Sequence, residues 1–419
     1  MTAHLLECID CGKHHLPAEV EYLCPSCSAR QKPLHPLLGL LRCVYEYEAT
    51  ARYFERDALE SNSERGLGRW LPILPISSAA SLPPLIESAT PLRPAERLRQ
   101  ELGLAALWLK DDTVMPTASF KDRASALVVA VARERGHDVV ATASTGNAAT
   151  ALAGQAAAVG ISSVIFAPEK APAAKLAQIA VFGGRLIPVK GTYDEAFELS
   201  IEACRHFGWY NRNTAYNPYT VEGKKTAALE IWEGLDYEAP DWIIIPTGDG
   251  VIAAGIEQGF RELAAMKLVD RVPRLALVQA DGCMPIVRAF ESEDLEIKPA
   301  LKPHTIADSI SVGVPRAGRW AMKALVETKG VAVAVRDEEI ISAISMLGNL
   351  TGVFAEPAAA ASIAGLKRLV AQGTIKSDET IVALITGSGL KDVPAAMQAV
   401  KIPAAIKPTL DAVKRALRE

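Results

Sequence analysis

Long apolar runs are missing from this chain, and so is a basic stretch followed by an apolar one at its start, MTAHLLECIDCGKHH. With nothing near the ~18 uninterrupted apolar residues of a membrane helix, a spanning protein is excluded and a cytoplasmic location is expected. No block of like charge stands out either: 45 Lys and Arg face 49 Asp and Glu, for a formal net charge of −4. That balance argues against a nucleic-acid or membrane-surface arm and leaves a small molecule as the natural partner. Aromatic residues are few, at 6%, and offer little for a protein-docking face. The glycine and proline counts are ordinary, so disordered and fibrous classes fall away.

At 419 residues the chain is long enough for two or three domains with a cleft between them. Four of its seven cysteines lie in the first 27 residues, as Cys8-Ile-Asp-Cys11 and Cys24-Pro-Ser-Cys27, separated by twelve residues. Each pair is accompanied by turn formers (Gly12, Pro25, Ser26) and resembles a zinc knuckle. Four thiolates around Zn²⁺ make a closed structural site, which helps a short segment offset its ordering entropy. The alternatives are a redox pair or plain reduced thiols; a catalytic zinc is disfavoured because four cysteines leave no open position.

From about residue 97 onward, short apolar runs (ALWLK, DVVATAS, SSVIFAP, RLIPVK, DWIIIPT, RLALVQA, VAVAV, TIVALIT) alternate with amphipathic, Ala-rich patterns such as AATALAGQAAAVG and DEAFELSIEACRHFG. Strands apolar on both faces and separated by helices imply an α/β fold with a parallel sheet covered on both sides. Ligands are then expected beyond the carboxyl ends of the strands. A Pro-rich stretch around residues 71–94 reads as a connection, and the tail IPAAIKPTLDAVKRALRE as a terminal helix.

Four loops carry chemistry. In PTASFKDR, Lys121 opens a helix, where the positive end of the macrodipole disfavours its ammonium form and favours the neutral amine a nucleophile needs. An exposed lysine beside Asp122 is the alternative. Ser144-Thr145-Gly146-Asn147 joins a strand to a helix and offers backbone N–H groups and hydroxyls to an anion such as a carboxylate, or else is a simple helix cap. Thr247-Gly248-Asp249-Gly250-Val251 turns tightly after a strand, suits a phosphate, and is neither a Walker loop nor a G-x-G-x-x-G fingerprint; Asp249 is awkward there unless it points away. Thr386-Gly387-Ser388-Gly389 puts a hydroxyl at a strand end.

In this order the loops resemble the threonine synthase-like branch of the fold type II, tryptophan synthase β-like, pyridoxal-phosphate enzymes, from about residue 88 to residue 392. PTASFKDR matches that family's P-T-G-S-F-K-D-R, and its S-T-G-N, E-G-K/Q-K-T, G-x-G-x, E-P and T-G-x-G-L-K-D elements appear at 144–147, 222–226, 248–251, 356–357 and 386–392. The resemblance implies two open, mainly parallel α/β domains with the cofactor in the cleft between them: 36–112 plus 216–419, and 113–215, preceded by a zinc-ribbon-like module at 1–35. It implies that Lys121 carries pyridoxal 5'-phosphate as a Schiff base, that Asn147 contacts the cofactor's phenolic oxygen, that residues 247–251 hold its phosphate, and that Thr386 faces the ring nitrogen. Ser144, Thr145, Gly146 and Ala148 would hold the substrate's carboxylate. A homodimer is expected on the same ground.

Besides Ala118 in PTASFKDR, three positions depart from the family pattern. Thr220 stands where N-P-Y-R has arginine, Ala148 where threonine is common, and Ser388 where T-G-H-G-L has histidine. Losing a guanidinium and a hydroxyl weakens an anion pocket. The expectation is therefore a lyase acting by β- or γ-elimination or replacement on an amino acid other than O-phosphohomoserine. Threonine synthase is the alternative, with Lys224, Lys225 or Arg316 as substitute cations, and a cofactor-binding pseudoenzyme or an interaction protein using the cysteine module is the reading from another class.

Overall fold

Each of the apolar runs named above becomes a strand. The computed structural model describes residues 4–144, 146–169, 173–292 and 295–417. A six-stranded sheet holds β4 (Leu92–Pro94), β5 (Ala106–Asp111), β10 (Trp242–Pro246), β11 (Arg274–Ala280), β12 (Val331–Val335) and β13 (Thr380–Ile385) in the order β12-β11-β10-β13-β5-β4. A four-stranded sheet holds β6 (Val139–Ala143), β7 (Ser162–Pro168), β8 (Arg185–Val189) and β9 (Tyr210–Asn211) in the order β8-β7-β6-β9. All pairings are parallel except β4 on β5, as expected for strands joined through helices. In β10 every residue is buried, because helices cover both faces.

The helix Tyr219–Gly234 is buried along most of its length although it carries Glu222, Lys224, Lys225 and Glu230. It packs against the helices Lys121–Glu134 and Val251–Ala265. The crossing is close because Gly223 has no side chain: a Cβ there would lie 2.4 Å from the Arg123 carbonyl oxygen. Two of the buried charges are neutralised in place, since Lys225 Nζ lies 2.5 Å from Glu222 and 2.8 Å from Glu262.

The N-terminal segment forms a third, antiparallel sheet, β2-β1-β3, from β1 (Leu5–Cys8), β2 (His14–His15) and β3 (Leu41–Val44). Ile9, Leu37 and Leu40 enter a buried cluster that also contains Phe166 and Phe197 from the four-stranded half and Val251, Ala254 and Trp320 from the six-stranded half. The segment thus seals a seam between the halves. At the other end of the chain, the expected terminal helix is confined to Leu410–Ala416. Pro403 and Pro408 account for the shortening, since proline removes a helical donor. Among the described residues no helix is long and apolar enough to cross a membrane.

Candidate active site

The carboxyl ends of the strands in both sheets face a cleft of about 630 Å³. Its wall includes Lys121, Ser144, Gly146, Asn147, Ala148, Thr247, Gly248, Asp249, Gly250, Val251 and Thr386. Thr145 lies outside the described residues.

Lys121 is the first residue of the helix Lys121–Glu134. Its loop is laced to the strand end of β13: Phe120 N–H donates to Thr386 O at 2.9 Å, Ser388 N–H donates to Ala118 O at 3.0 Å, and Ser119 bridges Gly387. Ala118, at φ 63°, takes a left-handed conformation that favours glycine, the residue of the family pattern. The polar neighbours of Lys121 are anchors. Asp122 accepts from Thr117 N–H at 2.8 Å, Thr117 Oγ1 at 2.9 Å and Gln155 at 2.9 Å, and burial pushes its carboxyl up to about 6. Arg123 is wholly buried against Asp112 at 2.7 Å and Glu230 at 2.6 Å.

The 247–251 turn ends at Gly250, whose φ of 88° suits only glycine without strain and which caps the fifteen-residue helix Val251–Ala265. A Cβ on Gly248 would lie 2.9 Å from Ile310 Cα. The turn is therefore a bare-backbone cradle at a helix N-terminus, the arrangement that takes a phosphate. Asp249 does not spoil it, because its Oδ1 accepts from Arg316 N–H, and burial raises the carboxyl to about 6. On the opposite wall Asn147 donates to Glu356 at 2.8 Å, while its Oδ1 is buried without a partner among the described residues. Glu356 carried no assigned role in the sequence; the contact brings it to the site. The glycine cradle, the orphaned Asn147 oxygen and the lysine at a helix start together fit pyridoxal phosphate.

Two cations that the reading of the departures undervalued complete the wall. Arg212 follows β9 directly and is 1% exposed; its Nε donates to Ser125 Oγ at 3.1 Å, whereas Nη1 and Nη2 have no hydrogen-bond partner among the described residues. Lys224, 2% exposed, reaches only Thr220 O at 3.2 Å among its described hydrogen bonds. Burial depresses Arg212 to about 10, and burial, then Arg212, then Lys121 push Lys224 well below the ordinary lysine range. Uncompensated buried cations are costly unless an anion joins them. The other suggested substitutes are engaged elsewhere: Lys225 by two glutamates, Arg316 by Asp194 at 2.5 Å. Thr220 hydrogen-bonds Asn217 O at 2.8 Å and Ser388 caps a turn; neither lines the cleft, so two of the three departures lie off the wall.

In the N-terminal module the ligand atoms of Cys8, Cys11, Cys24 and Cys27 all lie within 4.8 Å of one another. The Cys8–Cys27 and Cys11–Cys24 sulfurs are 3.8 and 3.9 Å apart. A tetrahedral site with Zn–S bonds of about 2.3 Å requires sulfur–sulfur edges of about 3.8 Å, so the donor set fits zinc.

Residues 84–387 match the family model for "Pyridoxal-phosphate dependent enzyme". Threonine synthase of Methanocaldococcus jannaschii is 38% identical over 99% of this chain and 100% of its own length; that of Methanosarcina acetivorans is 36% identical over 98% of each. In fold, the processed form of threonine deaminase isoform 2 from Solanum lycopersicum superposes with a TM-score of 0.63 over 75% of this chain and 88% of its own, at 23% identity. The chain belongs to the fold type II pyridoxal-phosphate-dependent enzymes, in their threonine synthase-like branch, and is a lyase of that family. The expectation of a substrate other than O-phosphohomoserine is overturned: relatives that match along the whole chain are threonine synthases. The expectation weighed the guanidinium missing at 220 and left out Arg212, which the structure places on the cleft wall.

Proposed function

We propose that the protein is a threonine synthase, which converts O-phosphohomoserine and water to threonine and phosphate. The observation that carries this reading is the buried guanidinium of Arg212, whose Nη1 and Nη2 lack partners among the described residues, together with the buried amine of Lys224 on the same cleft wall as Lys121. They suit the dianionic phosphate of the substrate, and the full-length match to threonine synthases supports the same choice.

Pyridoxal phosphate, bound by Lys121, supplies an electron sink at the substrate's α carbon. Gly248, Gly250 and the amides of the 247–251 turn would hold its phosphate, Asn147 would meet its phenolic oxygen, and Thr386 would meet its ring nitrogen. Ser144, Gly146 and Ala148, around the N-terminus of the helix Asn147–Ala157, would hold the substrate carboxylate, with Thr145 as the sequence motif's further member. The Lys121 amine, on the cleft wall, would also serve to move protons between the substrate carbons. Arg212 and Lys224 hold the leaving phosphate and stabilise its developing charge.

The domain division 36–112 plus 216–419 and 113–215, with a zinc-ribbon-like module at 1–35, belongs to this proposal, as do structural zinc on the four cysteines and a cytoplasmic homodimer. Sulfur spacing supports the zinc, and the exposed apolar side chains of Val393, Met397, Val400, Ile402 and Ile406 suit a second copy of the chain. The deciding experiment incubates the holoenzyme with O-phosphohomoserine and measures phosphate and threonine together. Equal release of both is expected, and Lys121→Ala should lose the reaction and the visible absorbance of the bound cofactor; phosphate without threonine, or neither product, refutes the assignment.

A further inference from the structure

Arg316 touches three separate parts of the molecule at once and none of its atoms is needed to line the cleft. Its backbone N–H donates to Asp249 Oδ1, and the next amide, Ala317 N–H, donates to Asp249 O at 3.0 Å, so this residue holds the phosphate-cradling turn from behind. Its carbonyl accepts from Leu37 N–H at 3.0 Å, at the exit of the cysteine-rich segment. Its guanidinium leaves the six-stranded half, lies over the Phe197 ring at 4.5 Å, and pairs with Asp194 Oδ1 at 2.5 Å; Glu198 is further off, at 3.8 Å.

Asp194 sits in the first turn of the helix Tyr193–Phe207, which packs on β6 and β7 of the four-stranded half. Together with Thr192, Tyr193 and Glu195 it forms the cleft wall facing the 246–253 and 308–314 segments. The ion pair therefore joins the two halves at the edge of the cleft, with Asp194 on its wall and Arg316 behind it. On one side it is anchored rigidly, Arg316 being 4% exposed; on the other it is partly wet, Asp194 being 32% exposed. An ion pair of that kind is strong enough to bias a hinge and weak enough to open.

We propose that the Arg316–Asp194 pair is the latch that holds the cleft closed over its substrate, with Arg316 acting as a positioning residue fixed by the Asp249 turn and by the Leu37 strap. The inference rests on the cleft being the active site described above. A closed cleft matters for this chemistry because premature opening lets the substrate break down instead of being rehydrated in place: O-phosphohomoserine and water then yield 2-oxobutyrate, ammonia and phosphate.

The test uses the holoenzyme carrying Asp194→Asn, Arg316→Lys and, as a control on the weaker contact, Glu198→Gln. In Asp194→Asn the latch predicts a KM for O-phosphohomoserine raised at least tenfold, with the loss falling on KM more than on kcat, a larger share of 2-oxobutyrate among the products, and amide exchange at 193–198 at least tenfold faster in the substrate-free holoenzyme. Arg316→Lys should recover part of each effect, and Glu198→Gln should leave all three at wild-type values. Unchanged exchange at 193–198 in Asp194→Asn overturns the latch, as does faster exchange accompanied by unaltered KM and product ratio. Should the wild-type enzyme not turn over O-phosphohomoserine, the functional assignment fails, while the exchange measurement still decides the latch.

Discussion

Two buried arginines, one on the helix Lys121–Glu134 and one hydrogen-bonded to it, have opposite surroundings. Arg123 is saturated: Asp112, Glu230, Thr90 and Thr226 take its guanidinium N–H groups at 2.6 to 3.0 Å, and Lys110 completes the network at Glu230, 2.5 Å away. Arg212 has Ser125 at its Nε and nothing at Nη1 or Nη2 among the described residues. The difference separates scaffold from site. A buried charge that the protein answers itself fixes structure, whereas one it leaves unanswered has its counter-charge supplied by a ligand.

The comparison is broken most forcefully at Arg123. Arg123→Gln leaves Asp112 with no cationic partner among the described residues and Glu230 with Lys110 alone, and urea unfolding should show a loss of about 3–5 kcal/mol; a loss under about 1 kcal/mol would mean that the network is not the scaffold. Arg212→Gln should do the reverse, lowering kcat/KM for O-phosphohomoserine by the equivalent of about 2–4 kcal/mol while leaving unfolding of the substrate-free enzyme unchanged or slightly harder. Thermal scans with inorganic phosphate sharpen this, since stabilisation by phosphate should shrink in Arg212→Gln and persist in the parent.

Asp122 tests an intermediate case, a buried carboxylate met chiefly by hydrogen bonds. Its carboxyl is pushed up to about 6, so the native state binds a proton more tightly than the unfolded chain does. The stabilisation is complete below the ordinary aspartate range near pH 4 and is lost as pH rises through about 6, at most about 3 kcal/mol at about 1.4 kcal/mol per unit. In Asp122→Asn a plot of unfolding free energy against pH between 4 and 7 should fall less steeply by that amount, with the share of Asp249 remaining; a curve parallel to the parent's would rule out Asp122 as a source. The smallest effect is expected at Ala118, where Ala118→Gly relieves a left-handed alanine. A gain of about 0.5–1 kcal/mol in denaturation, net of glycine's greater freedom in the unfolded chain, is the prediction.

What the sequence revealed was local. The strand runs, the helix opened by Lys121 and the strand-end turns at 144–147, 247–251 and 386–389 are written in contiguous residues, and the structure brings the described ones to one cleft. Arg212 escaped notice because β9 is only two residues long, too short to mark a strand end. Glu356 enters through contact with Asn147, 209 positions away, and nothing near either residue signals the pairing. Thr220 misled for the same reason in reverse: a position in a motif was taken for a position in space, while the helix points that hydroxyl back at Asn217.

The cysteine-rich segment also sets an order of events during synthesis. It is made well before the residues it docks on: Asp10, between the two thiols of its first knuckle, pairs with Arg319, 309 residues later, and Leu37 waits for Arg316. At about 5–20 residues per second, roughly 15–60 s separate the two ends of that contact. For that interval Ile9, Leu37 and Leu40 have no seam to fill, so this early segment docks late, and its docking marks the moment at which both halves of the enzyme are in place.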